Sequence, residues 1–205
     1  MSDQEKLTEI DGPMLAAAFP IRHRLEAIAA GDEVARLLAP RQSTVRFSVR
    51  VEAETVLIPA RLNFVSNELA LLENDQAWRF ARALHTRSND GFERQRAARD
   101  LLNSMESWAA PFIVALMGEY IVEILEDIAD ALTPELEQTL GDFIVGNEAF
   151  WATTKRRVTS YWNAYHASSC ATGPHGSWRR DEYVGFKLTG RLEAAAFGEP
   201  QPARR

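Results

Sequence analysis

Acidic side chains are concentrated in one stretch of the chain, Met117 to Leu132, which carries five acids and no base. At about 100° of rotation per residue in an α-helix, the five carboxylates fall within a stripe roughly 100° wide. The five residues are Glu119, Glu123, Glu126, Asp127 and Asp130. Carboxylates on one face can be simply solvated, pair with arginines of the same chain, bind a divalent metal ion, or attract a basic protein partner.

One alternative for this stripe is a metal-dependent hydrolase of phosphorylated small molecules. Its ligands would be Glu119, Glu123, Glu126 and Asp127. A metal site of this kind needs ligands that converge from more than one element, whereas all of these acids lie on one predicted helix. The paired acidic motifs of the all-α nucleoside-triphosphate pyrophosphatases stand on two helices, so the match fails. We therefore expect no metal, no cofactor and no catalytic residue here, and keep the hydrolase as the alternative.

Aromatic side chains crowd a second candidate segment, Phe150 to His166. Trp151, Trp162 and Tyr165 share one face of the predicted helix. Such a face is typical of a helix packed against a core. It is also typical of an interface anchor, because Trp and Tyr are enriched at the energetic centres of protein interfaces. We predict that these three aromatic residues and the five acids form an interaction surface.

The remaining candidate residues carry weaker signals. Cys170 lies between His166 and His175, but three groups with no recognised spacing do not define a zinc site or an activated thiol. His85 is predicted to lie on the surface near the end of a helix. No phosphate-binding loop, nucleophile elbow, zinc-protease helix or dinucleotide fingerprint occurs in the sequence. The common routes to catalysis are therefore absent, which leaves enzymatic activity undecided.

The charge balance bears on nucleic-acid binding. Arginine outnumbers lysine 20 to 3, and residues 79–99 hold six arginines. Arginine-mediated binding of nucleic acid is therefore a further alternative. The net charge of −6 argues against it, because nucleic-acid-binding domains usually carry a basic excess or stripe.

Composition and hydropathy predict a soluble protein of the cytoplasm. Hydrophobic residues make up 46% of the chain, enough for a sizeable core. The N-terminus is polar and acidic, unlike a secretory leader, and the longest apolar run is much shorter than the roughly 20 residues of a membrane span. A single cysteine cannot form an internal disulfide, which fits a reducing compartment.

Periodicity predicts the elements that must position these residues. Residues 1–13 are expected to be flexible, 14–40 helical, and 198–205 a flexible tail. Residues 43–65 alternate apolar and polar side chains as in a β-hairpin. Only helical patterns follow, over 67–73, 75–88, 91–104, 109–132, 134–149, 149–167 and 180–197. Residues 109–132 are apolar around most of the circumference, which predicts one continuous helix at the centre.

These patterns predict one globular domain over residues 14–205. It is mainly α-helical, with antiparallel helical pairs forming a bundle or short solenoid-like stack and a β-hairpin in the N-terminal third. The predicted function is that of a non-catalytic interaction or scaffold module with a protein partner, for which a basic protein is one candidate. A two-stranded sheet is marginal alone, so pairing of hairpins across a two-fold axis predicts a homodimer.

Overall fold

The computed structural model describes residues 7–66, 68, 75–167 and 179–198. Contacts along the chain divide it into two compact units, Met1–Ser104 and Met105–Arg205. The mainly helical fold with a β-hairpin in the N-terminal third is confirmed. The single domain predicted for residues 14–205 stays a prediction.

The described part of the first unit contains four α-helices: α1 (Gly12–Ala16), α2 (Arg24–Leu37), α3 (Asp75–His85) and α4 (Gly91–Leu102). A 3-10 turn, Ile21–His23, precedes α2. Helices α1 and α2 approach each other at two glycines, since a Cβ atom built on Gly31 would lie 2.9 Å from the Cα of Gly12. Close contact of the two backbones is therefore possible only without side chains at this crossing.

Two antiparallel strand pairs complete the first unit. Strand β1 (Leu7–Thr8) pairs with β2 (Gln42–Ser43), and β3 (Arg46–Val51) pairs with β4 (Glu54–Pro59). The β3–β4 turn consists of Glu52 and Ala53, whose φ angles of 51° and 68° are both left-handed. Two left-handed residues make the turn that best matches the twist of a hairpin, although asparagine and glycine are the residues usually found there.

The second unit consists of five α-helices among the residues that the structure describes. They are α5 (Ala110–Met117), α6 (Val122–Ala131), α7 (Pro134–Val145), α8 (Glu148–Tyr165) and α9 (Val184–Phe197). Every residue of α5 is buried, so α5 forms the centre of the unit's core. Helix α7 begins as its sequence predicts, with the Thr133 side chain accepting a hydrogen bond from Leu136 N–H and proline at the first position.

The continuous helix predicted over 109–132 is wrong. Helix α5 ends at Met117, and α6 begins only at Val122. Gly118 and Ile121 leave the helical conformation, with ψ angles of 27° and 106°. The helical period of apolar residues continues in the sequence through this break, because Tyr120 and Ile121 are compatible with a helix and with a turn. The residue that signalled the break was Gly118, a poor helix former.

The predicted N-terminal segment 1–13 contains defined elements. Leu7–Thr8 forms a strand and α1 begins at Gly12, while the flexibility expected for this segment stays a prediction. The predicted helical region 14–40 contains two helices, α1 and α2, which are separated around Pro20, a residue that lacks the N–H needed inside a helix. Most of the predicted helix 67–73 and most of the tail 198–205 lie outside the described residues. No described helix is long and apolar enough to cross a membrane.

Candidate functional site

The predicted acidic stripe is reduced to four residues by the break before α6. Glu123, Glu126 and Asp130 are exposed on α6, and Asp127 is half-buried. Glu119 lies before the helix with only 4% of its surface exposed. It therefore does not belong to an exposed acidic face. The acids of α6 are well placed for solvent or for a partner.

The predicted aromatic face divides into core and surface. Trp151 is 2% exposed, and its indole N–H donates to Glu193 Oε1 over 3.4 Å. Lys155 also pairs with that carboxylate. Trp162 is half-buried, with its ring edge-on to Phe186 at 5.6 Å between centroids. Of the three predicted aromatic anchors, only Tyr165 is well exposed, at 49%.

Tyr165 belongs to a group of three tyrosines that the sequence pattern alone did not reveal. The centroid of the Tyr120 ring lies 5.9 Å from that of Tyr161 and 5.8 Å from that of Tyr165. The rings of Tyr161 and Tyr165, one helical turn apart on α8, are 6.2 Å apart and nearly parallel. The spacing of four predicts the pair on α8, whereas Tyr120 joins them only because the chain turns between α5 and α6.

Tyr120 connects the tyrosine group along the chain to α6, the helix that carries the acids. Tyr120 is 49% exposed and precedes the first residue of α6 by two positions, and Glu123 occupies the first turn of that helix. We call the whole group the acid–tyrosine surface: Tyr120, Tyr161, Tyr165, Glu123, Glu126, Asp127 and Asp130. Exposed aromatic rings beside carboxylates suit a cation, which is attracted by the ring faces and by the negative charges together.

A second polar cluster lies in the first unit, around Glu93. His85 is fully buried, so its predicted surface position is wrong. Its Nδ1 atom lies 2.8 Å from Glu93 Oε1, and Arg82 Nη1 donates to the same oxygen over 2.5 Å. Arg96 donates to the other carboxylate oxygen over 2.9 Å, while Arg82 Nε reaches Asp100 over 2.6 Å. We call these five residues the Glu93 cluster.

Both central groups of the Glu93 cluster have displaced pKa values. Burial lowers the pKa of His85, although the hydrogen bond to Glu93 acts in the opposite direction. Burial raises the pKa of Glu93, but the hydrogen bonds from His85 and Arg82 outweigh it, and the net effect lowers that pKa. Near neutral pH the carboxyl is therefore ionised and the imidazole is neutral, which places the imidazole proton on Nδ1. The cluster joins α3 to α4.

A charge pattern in the sequence could have indicated this cluster. Basic residues lie in the last turn of α3 and an acid lies in the first turn of α4, across the short break between His85 and Gly91, which places opposite charges at neighbouring helix ends. Other arginine side chains of the same region donate hydrogen bonds to main-chain carbonyl oxygens. Arg94 donates to Ser88 O over 2.8 Å, and Arg87 donates to Ala60 O over 2.7 Å. Arginines that bind inside the unit are not available to phosphates, which argues against nucleic-acid binding.

The histidine of the second unit packs in an aromatic environment. The ring of His166 lies nearly parallel to that of buried Tyr183, 5.1 Å between centroids. Burial raises the pKa of Tyr183 to about 12, so its phenol stays neutral at ordinary pH. Cys170 and His175 lie outside the described residues, so the predicted weakness of this trio as a metal site stays a prediction.

Metal ligands do not converge within the described part of the chain. No group of three or more histidine, cysteine, aspartate and glutamate side chains there is arranged to hold an ion. The alternative ligand set on the acidic helix therefore gains no support, because Glu119 is separated from the acids of α6 by the turn. In comparisons with known proteins, no family model, curated protein or solved structure matches this chain.

Proposed function

We propose that the protein is a non-catalytic interaction module of the cytoplasm, and that its acid–tyrosine surface binds an arginine-containing segment of a protein partner. The observation that carries this proposal is the contact of two exposed tyrosines, Tyr120 and Tyr165, with Tyr120 lying next to the acidic helix α6 in the chain. Tyrosine is favoured at interface centres, where its ring contributes apolar contact and its hydroxyl a hydrogen bond.

Charge complementarity supports a basic partner. Residues 105–150 contain ten acids and no lysine or arginine. Within that range the exposed acids Glu123, Glu126 and Asp130 follow each other along one helix. Such a concentration of one sign accelerates encounter with an oppositely charged segment and disfavours acidic ones.

Arginine fits the surface better than lysine. A guanidinium group is planar and stacks on aromatic faces, and it also forms forked hydrogen bonds to carboxylates. The surface offers both kinds of group, since Tyr120 and Tyr165 are half-exposed and Glu123 is exposed nearby in the chain. The ammonium group of lysine has only point-charge attraction to the same carboxylates.

Fluorescence anisotropy with labelled peptides tests this proposal. A short peptide of alternating glycine and arginine is expected to bind more tightly than its lysine counterpart, and a glutamate counterpart is expected not to bind. The triple variant E123Q/E126Q/D130N is expected to lower the affinity for the arginine peptide about tenfold or more at low salt. Tyr165→Ala is expected to lower the same affinity roughly twofold to fivefold, because it removes one exposed cation–π contact.

The matched control neutralises three exposed acids on α7 and α8 instead. The variant E135Q/D142N/E148Q changes the net charge by the same amount and leaves the acid–tyrosine surface intact. It is expected to bind the arginine peptide nearly as well as the unaltered protein. Equal weakening by the two triple variants would reduce the effect to net charge alone and contradict a defined surface.

We also propose that the protein forms a homodimer through its hairpins. Leu57 N–H on the outer edge of β4 donates to Ala17 O over 2.9 Å, so that edge is occupied there. Ser48 on β3 is exposed, and a second copy could pair along this edge. Light scattering after size exclusion should give twice the chain mass, and Ser48→Pro should give the monomer. A monomeric unaltered protein would refute the dimer.

A further inference from the structure

A small cleft lies in the first unit between α1, the turn before α2, α2 itself and β4. Its volume is about 230 Å³. Clefts that bind drug-sized molecules usually enclose roughly 300–1,000 Å³, so this one suits a smaller ligand. Much of its lining is apolar, with Phe19, Ile28 and Leu57 among the contributing side chains.

Hydrogen bonds hold the walls of the cleft together. Leu57 N–H of β4 donates to Ala17 O at the end of α1 over 2.9 Å. Ile21 N–H of the following turn donates to Glu54 Oε2 over 2.8 Å. Each bond joins the hairpin to the helical wall opposite. The cleft is therefore formed before any ligand arrives, which reduces the entropy that binding must overcome.

Two opposite charges line this cleft without pairing. Arg24 and Glu54 both contribute to the lining, yet no ion pair joins them in the described structure. The side chain of Arg24 makes no ion pair with another described residue. Glu54 is held in place by Ile21 N–H through only one of its oxygens. The cleft thus combines an apolar lining with one cation and one anion available to a ligand.

We propose that the cleft binds a free α-amino acid with an aliphatic side chain. The carboxylate of the ligand pairs with Arg24, its ammonium group with Glu54, and its side chain packs against Phe19 and Leu57. An amine or a carboxylic acid alone would match one charge and leave the other unpaired. A zwitterion matches both, and an aliphatic side chain matches the apolar lining. This site is separate from the acid–tyrosine surface and does not depend on it.

Isothermal titration calorimetry on the full chain tests the proposal directly. Leucine, isoleucine and valine are the probes. Leucinamide, which lacks the carboxylate, and 4-methylpentanoate, which lacks the ammonium group, are the comparators. At least one of the three amino acids is expected to bind saturably. Leucine is expected to bind about tenfold or more tightly than either comparator, because each comparator leaves one charged side chain of the cleft without its partner. No saturable binding of any of the three amino acids, or equal binding of leucine and a comparator, overturns the proposal.

A pair of arginine variants locates the binding. Arg24→Gln is expected to lower the affinity for leucine about tenfold. It is expected to change the affinity for leucinamide little, because leucinamide has no carboxylate that could pair with Arg24. The control is Arg41→Gln, which removes an exposed arginine of the same unit that does not line the cleft. It is expected to leave leucine binding unchanged. Equal loss in the two variants, or none in Arg24→Gln, overturns the assignment of the carboxylate to Arg24.

Discussion

The imidazole of His85 and the carboxylate of Glu93 form a hydrogen bond inside the first unit, with 2.8 Å between Nδ1 and Oε1. His85 is the last residue of α3 and Glu93 lies in the first turn of α4, and both are almost completely buried. Arg82 donates to the same oxygen, so the negative charge of Glu93 is matched in a place that water does not reach. The stability of the first unit depends on this match, because a buried charge without its partner is costly.

Replacing Glu93 by glutamine is expected to lower the free energy of unfolding by about 1.5–3 kcal/mol, since Arg82 and His85 lose their shared carboxylate and Arg82 keeps only its ion pair with Asp100. Urea denaturation followed by circular dichroism measures the change. Glu148→Gln, an exposed acid of α8, is the control and is expected to change stability by less than about 0.5 kcal/mol. A loss below about 1 kcal/mol for Glu93→Gln would show that the cluster is unimportant for stability.

Stability is expected to decrease as the pH falls below the ordinary pKa of histidine. The folded-state pKa of His85 is lowered, so the unfolded chain binds a proton at this residue before the folded chain does. The folded-state pKa of Glu93 is lowered too, which adds a second decrease as the pH falls below the ordinary pKa of glutamate. In both windows the unfolded state holds more protons, so acid favours unfolding.

The His85 part of this dependence can be isolated by comparison. Urea denaturation at a series of pH values is measured for the unaltered protein and for His85→Asn, which keeps a side-chain N–H for Glu93. The variant is expected to lose the decrease between about pH 7 and pH 5 and to keep the decrease at lower pH. Identical profiles for the two proteins would mean that another group causes the decrease near neutral pH.

Local patterns predicted the helical class, the hairpin and several helix starts, because these depend on neighbouring residues. Helix α7 begins at the predicted residue 134, and α4 begins at the predicted residue 91, where the Asp90 side chain accepts a hydrogen bond from Phe92 N–H. The break between α5 and α6 was missed, since an apolar pattern fits a buried turn as well as a buried helix. Gly118 was its only local sign.

The candidate site was only partly predictable for the same reason. The acids of α6 are neighbours in sequence, so their common face was visible in the helical period. The contact of Tyr120 with Tyr165 was not, because it requires the turn before α6 and the packing of two segments distant in sequence. The burial of Trp151 likewise depends on α9, which carries its partner Glu193. Sequence period indicates which residues share a face and does not indicate what covers that face.

The hairpin turn contains a residue whose replacement is expected to stabilise the protein. Ala53 has a φ angle of 68°, a left-handed conformation that is unfavourable for a residue with a Cβ atom. Ala53→Gly is expected to raise the free energy of unfolding by about 0.5–1 kcal/mol, measured in urea. Ala29→Gly, at an exposed position inside α2, is the control and is expected to lower it by a similar amount. Destabilisation by both changes would contradict the left-handed turn.

The crossing of α1 and α2 is expected to tolerate no side chain. A Cβ atom on Gly31 would overlap the carbonyl group of Gly12, and neither backbone can move away without separating the two helices. Gly31→Ala is therefore expected to lower the free energy of unfolding by about 1–3 kcal/mol, despite the better helix propensity of alanine. The control is Gly190→Ala in α9, where the added Cβ meets no atom within 4 Å. There alanine is expected to stabilise the protein by about 0.5–1 kcal/mol. Thermal or urea denaturation measures both changes in stability. Destabilisation by Gly31→Ala together with stabilisation by Gly190→Ala would identify the close approach of α1 and α2 as the cause of the loss, whereas stabilisation by Gly31→Ala would contradict that approach.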